Sequence, residues 1–78
     1  MASLRLFGPA REAAGVARAV VPGQNVAEVL GVAEERYGAT FADIVAISRV
    51  WLNGESASRE TLVTDEDEVA IIPPVSGG

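Results

Sequence analysis

The sequence predicts an α+β domain: one mixed sheet of about five strands packed on one main helix, with short extra helical turns. Three observations predict it. Short strand-like runs stand near both ends, Ser3 to Phe7 with Leu4 and Leu6 alternating, and Glu68 to Ile72 with apolar residues on both faces. Between them, Val26, Val29, Leu30, Ala33 and Tyr37 fall at helical spacing and form a single apolar stripe. Glycine, proline and the pair Asn53-Gly54 punctuate the remainder into short segments.

Each element has a local reason. Ser3-Leu4-Arg5-Leu6-Phe7 is a strand with Leu4 and Leu6 on one face. Gly8-Pro9 breaks it, and Pro9 suits the first position of a helix, where its missing N–H costs nothing. Ala10 to Ala14 is then a short helical turn that Gly15 ends. Ala17 to Val21 is a second strand, stopped by Pro22-Gly23, and the short spacing makes an antiparallel hairpin with a helical insert at its tip.

Asn25 caps the main helix, and Glu28 completes a capping-box-like pair. Gly38 is the expected terminator, in the left-handed conformation. Gly31, in mid-helix, costs about 1 kcal/mol against Ala, and a close approach of helix to sheet is the expected reason. Phe41 to Ala46 is ambiguous and fits another helical turn. Arg49 to Leu52 alternates into Asn53-Gly54, a tight-turn signal, with a return strand near Glu55 to Ala57. Ser58 to Thr64 is a loop, Asp65-Glu66-Asp67 an acidic turn and Glu68 to Ile72 the last strand. The first and last strands are apolar enough to lie central and pair in parallel. That is the β-grasp arrangement of ubiquitin-like proteins, expected over residues 1–72.

Composition narrows the function. The 78 residues hold one domain, 49% of them hydrophobic. Cysteine and histidine are absent, which removes disulfides, thiolate metal sites and the commonest general base. The acidic cluster at residues 65–68 lacks the spacing of a calcium loop, so no metal site is expected. Six arginines stand against eleven acidic residues, for a net charge of −5, which argues against nucleic acid and toward a basic partner. No apolar run reaches the length of a membrane span and no signal peptide opens the chain, so a cytoplasmic, non-membrane protein is expected. Lysine is absent too, so no side-chain amine is open to acylation.

The last six residues, Pro73-Pro74-Val75-Ser76-Gly77-Gly78, form a separate unit. The prolines stop the strand and stiffen the exit from the domain. Gly77 and Gly78 carry no Cβ and make a slender tip bearing one carboxylate. Residues 73–78 are therefore expected to be a flexible tail able to enter a narrow active site. Phe7, Trp51 and Ile72 each fall out of phase with the core residues of their strands, which places them on the outer face of the sheet. An exposed apolar patch of that kind marks a partner site. Arg11 stands with them as a candidate partner contact, against the alternative of plain solvated surface.

The run from Val63 through Asp65-Glu66-Asp67-Glu68 to Pro73-Pro74-Val75-Ser76-Gly77-Gly78 resembles the C-terminal signature of the MoaD/ThiS sulfur-carrier family. Within it the sequence is most similar to small subunits of molybdopterin synthase. Ala10-Arg11-Glu12-Ala13-Ala14-Gly15 and Leu52-Asn53-Gly54 resemble the family's first-helix motif and mid-chain turn, so the likeness spans essentially the whole chain. Glu66 departs from it, standing where the family commonly has Gly, although a type I turn accepts Glu.

The resemblance implies a protein that is not an enzyme alone. It implies a Gly78 carboxylate adenylated by an ATP-using, MoeB-like activating enzyme and converted to a thiocarboxylate. Gly77 passes the active-site channel, and Pro73, Pro74, Val75 and Ser76 guide the tail into the large (MoaE-like) subunit of molybdopterin synthase, in a hetero-oligomer. No cofactor bound by the chain itself is implied; the ATP belongs to the activating enzyme. Three other readings compete: a carrier for thiazole or sulfur amino-acid synthesis, a ubiquitin-like modifier joined to target lysines, and a plain binding module with an inert tail.

Overall fold

In a computed structural model, which describes residues 1–74, the chain runs β1 (Ala2–Leu6), α1 (Gly8–Ala14), β2 (Arg18–Val21), α2 (Val26–Tyr37), α3 (Ala39–Ala46), β3 (Arg49–Leu52), β4 (Glu55–Ser56) and β5 (Glu68–Ile72). The strands form one sheet in the order β2-β1-β5-β3-β4. The two strands expected at the centre are there and run parallel, with Leu4 opposite Val69 and Leu6 opposite Ile71. β2 lies antiparallel to β1, and β3 antiparallel to both β5 and β4. This is the β-grasp topology.

Alternation sets the two faces of the sheet. Leu4, Leu6, Val69 and Ile71 are buried and turn toward the helices, with Val50 and Leu52 packed at the edge of the same core. Val26, Val29, Leu30 and Ala33, the stripe of α2, close the core from above. Each fully buried Leu, Ile, Val or Phe side chain contributes about 1.5–3 kcal/mol relative to exposure, so these few residues carry most of the driving force.

The start of α2 shows why the helix begins where it does. Its first two N–H groups, Val26 and Ala27, donate to the carbonyls of Thr61 (3.0 Å) and Arg59 (2.9 Å) in the loop before β5. The third, Glu28, donates to Asn25 Oδ1 at 2.8 Å. The donors of the first three helical residues, which have no intrahelical partners, are thus satisfied. The capping box is shifted by one residue: Glu28 Oε1 accepts from Gln24 N–H at 2.9 Å, not from Asn25.

One local expectation is extended and two are corrected. Phe41 to Ala46 belongs to a two-turn helix, α3, which packs against α1 and α2 and buries Phe41 and Val45. Tyr37 meets Phe41 edge-on, with ring centroids 5.2 Å apart. Gly38 does not adopt the left-handed helical conformation but φ 96°, ψ −175°, a region open essentially to glycine alone, because it must end α2 and start α3 in one residue. Gly31 is not a point of close approach: a Cβ built there meets nothing within 4 Å. The close approach is at Gly23, where a Cβ would lie 2.7 Å from Val29 Cγ2 and 2.8 Å from Val29 N.

Asn53 and Gly54 both have positive φ, 51° and 85°, as the tight hairpin joining β3 to β4 requires. This turn is tied to the acidic turn. Asn53 Nδ2 donates to Asp67 Oδ1 (2.8 Å), Asn53 Oδ1 accepts from Glu68 N–H (2.9 Å), and Asp67 Oδ2 accepts from Thr64 N–H (2.8 Å). Glu66 has negative φ, so the residue that departs from the family pattern fits its turn.

The hydrogen bonds from Thr64 N–H and then Asn53 favour the charged form of Asp67 and hold its carboxyl below the ordinary value of 3.8. A depressed folded value means that the unfolded chain binds more protons. The stabilisation is therefore present above about pH 4 and lost as pH falls through the folded value. Asp67→Asn is expected to flatten the acid limb of stability in urea unfolding measured from neutral pH downward. An unchanged acid limb would show that the latch does not couple to protons.

Candidate functional site

The outer face of the sheet holds the predicted patch. Phe7 follows the last residue of β1 in extended conformation, φ −130°, ψ 154°, and caps α1 through its carbonyl, which accepts from Ala10 N–H (3.1 Å) and Arg11 N–H (3.3 Å). Phe7 is 39% exposed, and Ile72, the last residue of β5, is 36% exposed. Because β1 and β5 are parallel and Leu6 stands opposite Ile71, Phe7 and Ile72 sit at the same level of the sheet. Trp51 is half-buried one step further in, in register with Ala70. The structure therefore brings Phe7, Trp51 and Ile72 onto one face.

The tail leaves from the same end. Pro73 is buried and Pro74 exposed directly after Ile72, so the first proline anchors the exit in the body and the second faces solvent. Arg11 is exposed on α1, which starts where β1 ends, and so shares this end of the domain with Phe7 and the exit. Val75, Ser76, Gly77 and Gly78 lie outside the described residues. The acidic turn is at the opposite end of β5, where Asp67 serves the latch.

Sequence reasoning missed the cationic part of this face. Register places Arg5 and Arg18 opposite each other on β1 and β2, and Arg49 opposite Ile72 on β3. All three are exposed. The Arg5 guanidinium lies 5.5 Å from the centre of the Phe7 ring, within cation–π range, and 3.9 Å from Glu68, an exposed pair worth at most about 1 kcal/mol. Phase along one strand could have shown part of this, because Arg5 shares parity with Phe7 and Arg49 with Trp51. The pairing of Arg5 with Arg18 depends on strand register and could not be read locally.

A profile of the ThiS family matches residues 4–78. The chain belongs to the ThiS family. No curated protein matches it in sequence. Among solved structures, small archaeal modifier protein 1 (SAMP1) of Methanosarcina acetivorans is 30% identical over 99% of this chain and 95% of its own, with a TM-score of 0.82. A Pyrococcus furiosus protein assigned as subunit 1 of a molybdopterin converting factor is 25% identical over 95% of this chain and 97% of its own, with a TM-score of 0.79. A complex of subunits 1 and 2 of the molybdopterin-converting factor of Helicobacter pylori contains a chain 20% identical over 99% of this one and 97% of its own; with a TM-score of 0.74 it shows the fold alone.

The expected family and β-grasp fold are thereby shown, and the ThiS-family chain has the body of a small ubiquitin-like sulfur carrier. Among the described residues no helix is long and apolar enough to cross a membrane.

Proposed function

We propose that this protein carries sulfur as a C-terminal thiocarboxylate and donates it in molybdopterin synthesis, as the small subunit of a two-protein synthase in the cytoplasm. The observation that carries the reading is the Pro73-Pro74-Val75-Ser76-Gly77-Gly78 end on a ThiS-family body whose apolar outer face adjoins the tail's exit. The likeness to the Pyrococcus protein supports the molybdopterin branch.

The chemistry explains the build. A C-terminal carboxylate titrates at about 3.3–3.7, so at neutral pH it is ionised and a poor electrophile. In the activating enzyme its oxygen attacks the α-phosphorus of ATP and pyrophosphate leaves. The terminal sulfur of a persulfide then displaces AMP from the acyl carbon, and a thiol reductant releases the thiocarboxylate. Phe7, Trp51 and Ile72 seat the carrier on the large subunit, Arg11 contacts it at the rim, and Pro73 to Ser76 direct Gly77 and Gly78 to the pterin precursor. The body needs no cysteine, because the mobile sulfur sits on the chain end.

Intact mass tests this. After incubation with an activating enzyme, ATP and a sulfur donor, the mass is expected to rise by the difference between one sulfur and one oxygen. An unchanged mass argues against the carrier reading. The likeness to SAMP1 favours one second reading, a protein modifier joined to target lysines. Isopeptide-linked adducts in cells, without a free thiocarboxylate, would select it.

A further inference from the structure

Glu28, Gly31, Val32 and Glu35 stand at helical spacing and share one face of α2. That face and the turn Pro22-Gly23 line an open groove next to β2, which is the edge strand of the sheet. The groove is apolar along its middle, and the two exposed glutamates stand about 10.5 Å apart along the helix. Among the described residues neither carboxylate makes an ion pair; Glu28 accepts one hydrogen bond, from Gln24 N–H.

Two features of this place are not explained by folding. Gly31 weakens the middle of α2 by about 1 kcal/mol against Ala, yet no neighbour in the chain needs its missing side chain. Its effect is to leave the helix backbone open to close approach from outside. The second feature is the edge of β2. Leu6 N–H donates to Ala17 O, and an antiparallel ladder alternates from there, so Arg18 and Val20 turn their N–H and C=O groups away from β1. Val20 O accepts from Arg36 Nη1 at 3.2 Å. Both N–H groups and Arg18 O point off the sheet edge, where they form a template for another strand.

We propose that the groove between β2 and α2 binds an extended protein segment that adds to β2 as a sixth strand and carries arginine or lysine on the side facing α2. Main-chain hydrogen bonds to Arg18 and Val20 would hold the segment, and side chains supply the selection. Same-side residues of a strand lie about 7 Å apart, so two long basic side chains flanking Gly31 reach Glu28 and Glu35. The charge complementarity decides the occupant: an acidic segment, or the chain's own terminal carboxylate, would meet two unpaired glutamates. Val20 pairs with Ser3 at the start of β1, whereas the tail leaves from the other end of the sheet. The site is therefore separate from the tail's exit and stands whether or not the tail carries sulfur.

The test is an NMR titration of the full chain with a capped peptide of alternating valine and arginine, about six residues long, the usual length of a strand. Amide shifts are expected at Arg18, Val20, Gly31 and Val32, with slowed exchange of the Arg18 and Val20 amides. The same peptide with glutamate for arginine, or with alternate amides N-methylated, is expected to bind at least about 10-fold more weakly. Glu28→Arg and Glu35→Arg are each expected to weaken binding by about 5-fold, while Glu12→Arg and Glu55→Arg, which change net charge equally but lie off the groove, stay within about 2-fold. Gly31→Leu is expected to abolish binding and leave the thermal melt unchanged or raised, because it fills the groove and not the core. Equal binding of the glutamate peptide overturns the charge assignment, and equal binding of the N-methylated peptide overturns strand addition. No shifts, shifts confined to α2 or to the outer sheet face, or edge shifts that follow protein concentration without peptide overturn the site as assigned.

Discussion

Deleting Gly78, or adding one residue after it, is expected to abolish sulfur transfer while stability changes by no more than about 0.5 kcal/mol. The two halves of this expectation have separate causes. Among the described residues the buried ones end with Ile71 and Pro73, and Gly78 has no side chain to contribute to a core. Reactivity rests on the position of one carboxyl carbon. A residue added or removed displaces that carbon by about 3.3–3.6 Å along an extended tail, and a misplacement of about 1 Å already costs on the order of 100-fold. Thiocarboxylate yield by mass spectrometry and thermal melts of the same two variants check both halves. Transfer retained by either variant would mean that the chain's final carboxylate is not the sulfur site.

What was legible in the sequence was what depends on neighbours along the chain. Leu4 and Leu6 on one face of the first strand, and the apolar run from Val69 to Ile72 in the last, marked these two strands as apolar enough to lie central. Asn25 with Glu28 marked the start of α2, and Asn53-Gly54 carried its own requirement for positive φ. α3 was legible only in part. Its segment from Ala39 to Ala46 is apolar nearly all round and has no side-chain cap. Its helicity is completed by packing against α1, which lies outside any local window, as well as against α2.

The site divides in the same way. Strand phase alone placed Phe7, Trp51 and Ile72 outside. The arginines between them become a single cationic face only when β2, β1, β5 and β3 are set in register. Pro73 read as a neck leaving the domain, yet the structure buries it, so the body itself holds the exit.

The two glycines exchanged between expectation and structure predict effects of opposite sign. Gly23→Ala is expected to destabilise the domain by about 2–4 kcal/mol, combining overpacking with a strained backbone. The new methyl would overlap the backbone nitrogen of Val29 as well as its side chain, at 2.8 and 2.7 Å, and the residue has φ +155°. A side chain could turn away, but Val29 N is held in α2, donating to Asn25 O at 3.1 Å, so relief requires the helix or the segment 22–25 that leads into it to shift. A domain of this size has only about 4–12 kcal/mol in hand, so much of its stability would go. Gly31→Ala is expected to stabilise by up to about 1 kcal/mol, because Ala is the better helix former and its methyl meets open space. Urea unfolding of the two single variants and the double variant measures both. Equal effects of the same sign would show that α2 does not seat against Gly23 as the geometry requires.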